Sequence, residues 1–126
     1  MSVIDLLIRI KNGYMARREL VESPYSKFRV SVLEKLKKLG YIQDFSVSGE
    51  YRKTISITLK YKDGDPAIVD VKIFSTPGRR IYHSYKNVKP VKGGMGYAIL
   101  SSSKGIITGS EAHKDHLGGE LLFHIW

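Results

Sequence analysis

The chain has no cysteine and little acid: 12 Asp and Glu stand against 21 Lys and Arg in 126 residues, a formal net charge of +9. Without cysteine there is no disulfide framework, thiolate nucleophile, cysteine-ligated zinc or iron–sulfur cluster, and a reducing compartment fits. No apolar run approaches the ~18 residues of a membrane span. Residues 1–9 lack a basic n-region, and Asp5 and Arg9 interrupt their apolar run, unlike a secretory signal. Repeats and low-complexity tracts are missing as well. An apolar fraction of 42% is too high for a disordered tail. The length suits one domain or two small docked lobes, because a ~60-residue half alone would bury only about 60% of its unfolded surface.

What is present is positive charge, unevenly placed. Between Asp70 and Glu111 lie 40 residues with no acid and seven cations: Lys72, Arg79, Arg80, Lys86, Lys89, Lys92 and Lys104. Tyr82, Tyr85 and Tyr97 interleave with them. A solvated basic face is the plain reading of such a run. A surface that meets the phosphates of a polyanion is the functional one.

The apolar periodicity predicts an α+β fold. Ser2 and Asp5 resemble a capping box, and Val3, Leu6, Leu7, Ile10 and Tyr14 recur at helical spacing. Residues 23–25 break that pattern. Ser26 is expected to cap a second helix with Phe28, Val32, Leu33, Leu36 and Leu39 on one face and Gly40 just past its end. Strands are predicted over 41–47 and 51–61, the latter alternating Tyr51, Lys53, Ile55, Ile57, Leu59 and Tyr61 on one side. Residues 62–66 read as a turn between lobes. A strand over 67–75 places Val69, Val71 and Ile73 on one face. A turn at 76–79, a short extended piece at 80–82, a loop or edge segment at 86–92 with Pro90, and a glycine loop at 93–96 follow. Then come a strand over 97–101, a turn at 102–105, a short helix capped by Ser110 and ended by Gly118-Gly119, and a terminal strand over 120–126. The architecture expected is an N-terminal α/β lobe over 1–64, with two helices and about three strands, docked on a mainly β C-terminal lobe over 65–126 with one short helix.

Four groups of residues invite chemistry. Ser101 and Lys104 satisfy S-x-x-K, but the companion motifs of penicillin-recognising enzymes are missing. His113 and His116 are spaced to share a helix face, without the H-E-x-x-H pattern of a zinc protease; no metal is expected. Gly93-Gly94-Met95-Gly96 lacks the Lys-Ser/Thr of a phosphate-binding P-loop. The turn at 101–105 offers three hydroxyls that exchange hydrogen bonds with bases, phosphates or ribose 2′-OH groups, a charge at Lys104, and close approach at Gly105. Glu120 is odd on a surface meant for phosphate. It makes sense as an acceptor for a base amino group, as a support for the serine turn, or as a solvated strand residue.

Taken together, Pro77-Gly78-Arg79-Arg80-Ile81-Tyr82, Gly93-Gly94-Met95-Gly96, Ile99-Leu100-Ser101-Ser102-Ser103-Lys104-Gly105-Ile106-Ile107-Thr108, Glu111-Ala112 and Leu117-Gly118-Gly119-Glu120 resemble the bacterial form of the small-subunit ribosomal protein eight family. Asp5-Leu6-Leu7-Ile8-Arg9-Ile10-Lys11-Asn12 resembles its opening helix, and Pro24-Tyr25-Ser26-Lys27 with Leu36-Lys37-Lys38-Leu39-Gly40-Tyr41-Ile42 its second. The likeness runs the whole chain in order. It implies a cytoplasmic, ribosome-bound, non-enzymatic protein that needs no cofactor, is a monomer within the ribosome, and binds an irregular helix in the central domain of small-subunit rRNA. It implies specific contacts by Ser101, Ser102, Ser103, Lys104, Gly105, Glu120 and Tyr82, with Arg79 and Arg80 near the RNA backbone. Arg9, Lys11, Asn12, Ser26 and Lys27 are first-lobe candidates; Lys86, Lys89 and Lys92 come from the basic stretch. Implied partners are neighbouring ribosomal proteins, including protein five, and the protein's own messenger RNA. Two departures stand out. Ser102 replaces the usual Thr, removing a methyl group, and the leader before the first helix is short.

Two other readings predict different observations. A small hydrolase using Ser101 and Lys104 would form an adduct with a serine-reactive probe. A basic membrane-surface protein would bind anionic vesicles, although the helix charges are scattered rather than one-sided.

Overall fold

The computed structural model describes residues 3–126; Ser2, and with it the expected cap formed with Asp5, lies outside the described residues. Two compact units part between Ile68 and Val69.

In the first unit, Val3, Leu6, Leu7, Ile10 and Tyr14 form the buried stripe of helix α1, Val3–Met15. Strand β1, Leu20–Pro24, follows. Helix α2, Lys27–Lys38, starts where the Ser26 hydroxyl accepts from the Arg29 N–H and stops before Gly40, whose φ of +84° suits a residue with no Cβ. Strands β2, Asp44–Ser48, and β3, Thr54–Thr58, complete an antiparallel sheet ordered β1-β3-β2. Ile55 and Ile57 of the central strand are fully buried. Strands β4, Tyr61–Lys62, and β5, Asp65–Pro66, pair across Asp63-Gly64, both at positive φ, as a two-residue hairpin turn of the primed kind requires.

Three features depart from or go beyond the expected pattern. Residues 20–24 form a strand where only a break at 23–25 is expected. The strand tolerates Pro24 because it lies at the sheet edge, at the end of the pairing. Tyr51 is not in β3; it is 98% exposed in the loop before it, since the ladder ends at the Ser48–Thr54 pair. The α2 face also buries a charge. Arg29 stands among Val32, Leu33 and Leu36, its guanidinium 2.9 Å from the Asp5 carboxylate and donating to the Ser23 hydroxyl. Burial of a guanidinium is tolerable only with such partners.

In the second unit, strands β6, Val71–Ile73, β7, Tyr82–His83, β8, Tyr97–Ser102, β9, Gly105–Thr108, and β10, Gly119–Ile125, form one antiparallel sheet. β10 is its hub, pairing with β6, β7 and β8. Its register slips by one residue between Leu121 and Phe123, leaving Leu122 as a bulge. One face carries Ala98, Leu100, Ile107 and Leu121, covered by Val88, Val91 and Ala112. The opposite face buries Ile99, Phe123 and Ile125 completely. Helix α3, Gly109–Asp115, lies against β8 and β9.

Corrections arise here too. Val69 is exposed and outside β6, its N–H bonded to the Trp126 carbonyl at 2.7 Å. β9 was not foreseen. Thr108, not Ser110, caps α3: its hydroxyl accepts from the Glu111 N–H at 3.2 Å while the Glu111 carboxylate takes the Thr108 N–H at 2.9 Å, a full capping box. His116, at φ +53°, ends the helix where Gly118-Gly119 was expected to. No helix among the described residues is long and apolar enough to cross a membrane.

Candidate nucleic-acid interface

The sheet of the second unit assembles the expected site by register. Tyr82 of β7 lies opposite Glu120 of β10, Glu120 lies opposite Ser101 of β8, and Ser101 lies opposite Ile106 of β9. Directly opposed residues share a face with Cβ atoms about 5 Å apart. Four strands thus contribute one row of side chains, drawn from positions 82, 101, 106 and 120. Tyr82 is exposed, while Glu120 and Ser101 are half-buried.

The turn after β8 closes with the Ser102–Gly105 pair. The Ser102 hydroxyl donates to the Gly105 carbonyl at 2.9 Å and accepts the Lys104 N–H at 3.1 Å. That hydroxyl therefore shapes the turn. Ser101 and Ser103 have no hydrogen-bond partner for their hydroxyls among the described residues, and Ser103 is exposed. Gly105 supplies φ +105°. Lys104 is exposed and makes no hydrogen bond to Ser101, so the nucleophile–base contact of S-x-x-K chemistry is missing.

Glu120 does not support the turn. Its nearest charged partner is Arg80, with Nη1 3.9 Å from Oε1, too far for a hydrogen bond. Both carboxylate oxygens thus remain open to a donor. Ser75, which no sequence signal marks, ties this region down. Buried, it donates to the Leu121 carbonyl at 2.6 Å and accepts the Ile81 N–H at 3.1 Å, fixing the chain that leads into Tyr82. Gly118 and Gly119 are needed for close approach, not for helix termination. A Cβ on Gly119 would lie 2.4 Å from the Ser101 carbonyl oxygen, and one on Gly118 would lie 2.8 Å from that of His83. The Gly-Gly pair directly before the strand was the signal available for this.

The cations are dispersed, from Lys104 in the serine turn to Lys92 over the Trp126 ring, just past the other end of β10 from Glu120. Arg79 sits in a turn closed by reciprocal backbone bonds with Thr76 at 2.9 and 3.1 Å. Lys86 lies 6.0 Å from the Tyr85 ring centre, and Lys92 lies 4.6 Å from that of Trp126. Arg79, Lys86, Lys89, Lys92 and Lys104 are exposed and pair with no carboxylate among the described residues. The glycine loop is no phosphate cradle, because the N–H groups of Gly94, Met95 and Gly96 turn inward to the Val91 and Lys92 carbonyls. The two histidines are engaged separately. His113 Nε2 donates to the Val88 carbonyl at 2.6 Å, and His116 stacks on Tyr85 at 4.7 Å.

In the first unit the candidates divide. Arg9 is structural, bonded to Asp5 Oδ2 at 2.9 Å and to the Glu22 carbonyl at 3.1 Å. The Arg9 hydrogen bond, with a smaller contribution from Arg29, holds the Asp5 carboxyl below the usual carboxylate range despite some desolvation. Ser26 is the α2 cap. Lys11 is half-buried, while Asn12 and Lys27 are exposed.

The family model described as "Ribosomal protein S8" matches residues 2–126. Among similar curated proteins, small ribosomal subunit protein uS8 of Dictyoglomus thermophilum is 47% identical over 125 residues, covering 98% of this chain and 95% of that protein. The uS8 of Spiroplasma kunkelii is 42% identical over 125 residues, covering 99% and 97%. That of Shewanella loihica is 39% identical over 123 residues, covering 98% and 95%.

Proposed function

The chain belongs to the ribosomal protein S8 family of the small ribosomal subunit, whose members are ribosomal proteins and not enzymes, and from that premise we propose that it binds the central domain of small-subunit rRNA and organises an irregular helix there during assembly. The observation that carries this reading is the Tyr82–Glu120–Ser101 row beside the serine turn.

A-form RNA hides its major groove, so a protein reads the wide minor groove, 2′-OH groups and distorted nucleotides. Ser101 and Ser103 offer short, free hydroxyls on a rigid sheet end, and Glu120 offers an acceptor for base amino groups. Tyr82 adds a ring for stacking, and Gly105 lets the backbone come close. Ser102 and Lys104 hold the turn and its charge in place. Arg79, Arg80, Lys86, Lys89 and Lys92 supply affinity that carries no sequence information. In the first unit Asn12 and Lys27 are the better candidates. Arg9 and Ser26 act through the structure they hold, and Lys11 contributes charge.

Neighbouring small-subunit proteins, protein five among them, are the expected protein contacts. A messenger RNA that mimics the rRNA helix is the expected second ligand. Hydroxyl-radical footprinting of the full chain on bacterial small-subunit rRNA tests the reading: protection of one irregular central-domain helix is expected. Protection scattered over all domains would overturn it.

A further inference from the structure

A separate aromatic and basic patch lies on the first unit, where Tyr51, Arg52 and Lys53 join the candidate Lys27. Residues 49–53 join β2 to β3. A Cβ on Gly49, at φ +102°, would meet the Arg52 carbonyl oxygen at 2.6 Å, so the loop folds back on itself. This fold leaves the Tyr51 ring 98% exposed, with Arg52 and Lys53 exposed after it. The Tyr25 N–H donates to the Lys53 carbonyl at 3.2 Å, bringing the start of α2 alongside. Lys53 Nζ then lies 5.1 Å from the Tyr25 ring centre, and Lys27 follows on the first turn of α2. Lys27, Arg52 and Lys53 pair with no carboxylate among the described residues. Glu50 is the single acid of the loop.

A lone exposed aromatic residue needs no explanation. An exposed ring flanked by three unpaired cations and a second ring is another matter. It is the composition of a single-strand platform, on which a base stacks while cations follow the backbone. We propose that Tyr51 stacks on an unpaired base of the bound RNA, with Arg52, Lys53 and Lys27 against its flanking phosphates. The inference rests on the rRNA reading above and extends it to the first unit. Every base has a π-face, so this contact adds affinity and leaves sequence choice to the serine turn. A protein partner would have to bring both an apolar seat for the ring and several acids. RNA brings a base and phosphates together.

The test measures binding of the full chain to a central-domain transcript of bacterial small-subunit rRNA, with footprints. Tyr51→Ala should weaken binding roughly tenfold. It should also expose at least one unpaired nucleotide outside the footprint that Ser103→Ala alters. Tyr51→Phe should restore both. Arg52→Ala with Lys53→Ala should lower the salt slope by about 1.4 to 1.8. Tyr51→Ala matching wild type in affinity and footprint, while Ser103→Ala weakens binding, overturns the inference and leaves the rRNA reading standing. Failure of the wild-type chain to bind the transcript overturns both. Tyr51→Phe no better than Tyr51→Ala overturns the stacking role. A Tyr51→Ala chain that binds RNA normally but enters reconstituted subunits poorly assigns the patch to a protein neighbour and overturns it equally. A melting curve checks the fold, which a side chain this exposed does not support.

Discussion

Glu120 stands directly opposite Ser101 across the β8–β10 ladder, yet no side-chain hydrogen bond joins them, and neither side chain has a hydrogen-bond partner among the described residues. A carboxylate and a hydroxyl side by side, both open, offer acceptor and donor to the same ligand. Removing either should lose specific contacts without disturbing the sheet. Ser101→Ala and Glu120→Ala, and likewise Ser103→Ala in the adjoining turn, should each weaken binding to the cognate helix about fivefold to a hundredfold and leave affinity for unrelated duplex RNA nearly unchanged. Competition binding with the two RNAs measures the difference. An equal loss on both would remove the specificity assignment.

Ser102 should behave differently from its neighbours. Its hydroxyl holds both Lys104 and Gly105, so Ser102→Ala should destabilise the chain by about 1 kcal/mol. Ser102→Thr keeps the hydroxyl and should retain stability. Denaturant titration of the two variants decides this.

Gly119→Ala places a methyl group against the backbone of Ser101, not against a flexible side chain. A loss of about 1–3 kcal/mol is expected, with loss of cognate RNA binding as β8 moves off β10. Unchanged binding at unchanged stability would show that the ladder adjusts elsewhere.

The basic stretch has its own signature. Replacing Lys86, Lys89 and Lys92 together by Gln should lower the salt dependence of RNA binding by about 0.7 to 1 per lost phosphate contact, with specificity ratios preserved. The measurement is binding across a series of salt concentrations.

His124, Asp5 and Asp44 shape acid stability, Asp44 being held below 3.8 by its hydrogen bond with Lys37. Burial first, then Lys72 and His83, lowers the His124 pKa from 6.5. Below 6.5 the unfolded chain binds the proton more readily, so stability falls as pH drops from about 6.5 toward the folded value. Asp5 is lowered from 3.8, so its contribution is present above that value and is lost as pH falls below it. His124→Phe should flatten the upper window, and Asp5→Asn should make the lower one shallower, leaving the part due to Asp44. Urea unfolding between pH 8 and pH 3 resolves the two.

The sequence exposed most of this because its strongest signals were local. The α1 stripe, the Ser26 cap, the Asp63-Gly64 turn and the serine turn each lie in a few consecutive residues. What it hid was set by distant chain. β1 and β9 are short and lack a long alternating run; each becomes a strand by pairing, β1 with β3 and β9 with β8. Ser75 looks like any loop serine until the Leu121 carbonyl arrives beside it. Arg29 interrupts an apolar stripe, and its Asp5 partner lies 24 residues earlier. The α3 cap was legible and misread: Thr108 with Glu111 is a capping-box spacing, and Ser110 is merely nearer the helix centre. The three serines look equivalent in sequence. Only the folded turn separates the one that builds it from the two that face outward.

The Leu122 bulge sets the sidedness of the interface. In a regular strand residues three apart point to opposite sides, yet Glu120 and Phe123 share a side because one extra residue lies between them. The polar end and the apolar end of β10 are therefore kept in phase by a count, not by any particular side chain. Substitution at 122 leaves that parity intact. Deletion of the residue would leave Glu120 and Phe123 two apart on a regular strand, still on one side, but would remove the carbonyl that accepts the Phe74 and Ser75 N–H groups. What the extra residue secures is a backbone acceptor for the chain at 74–75, so position 122 should tolerate changes of letter while its peptide group is kept.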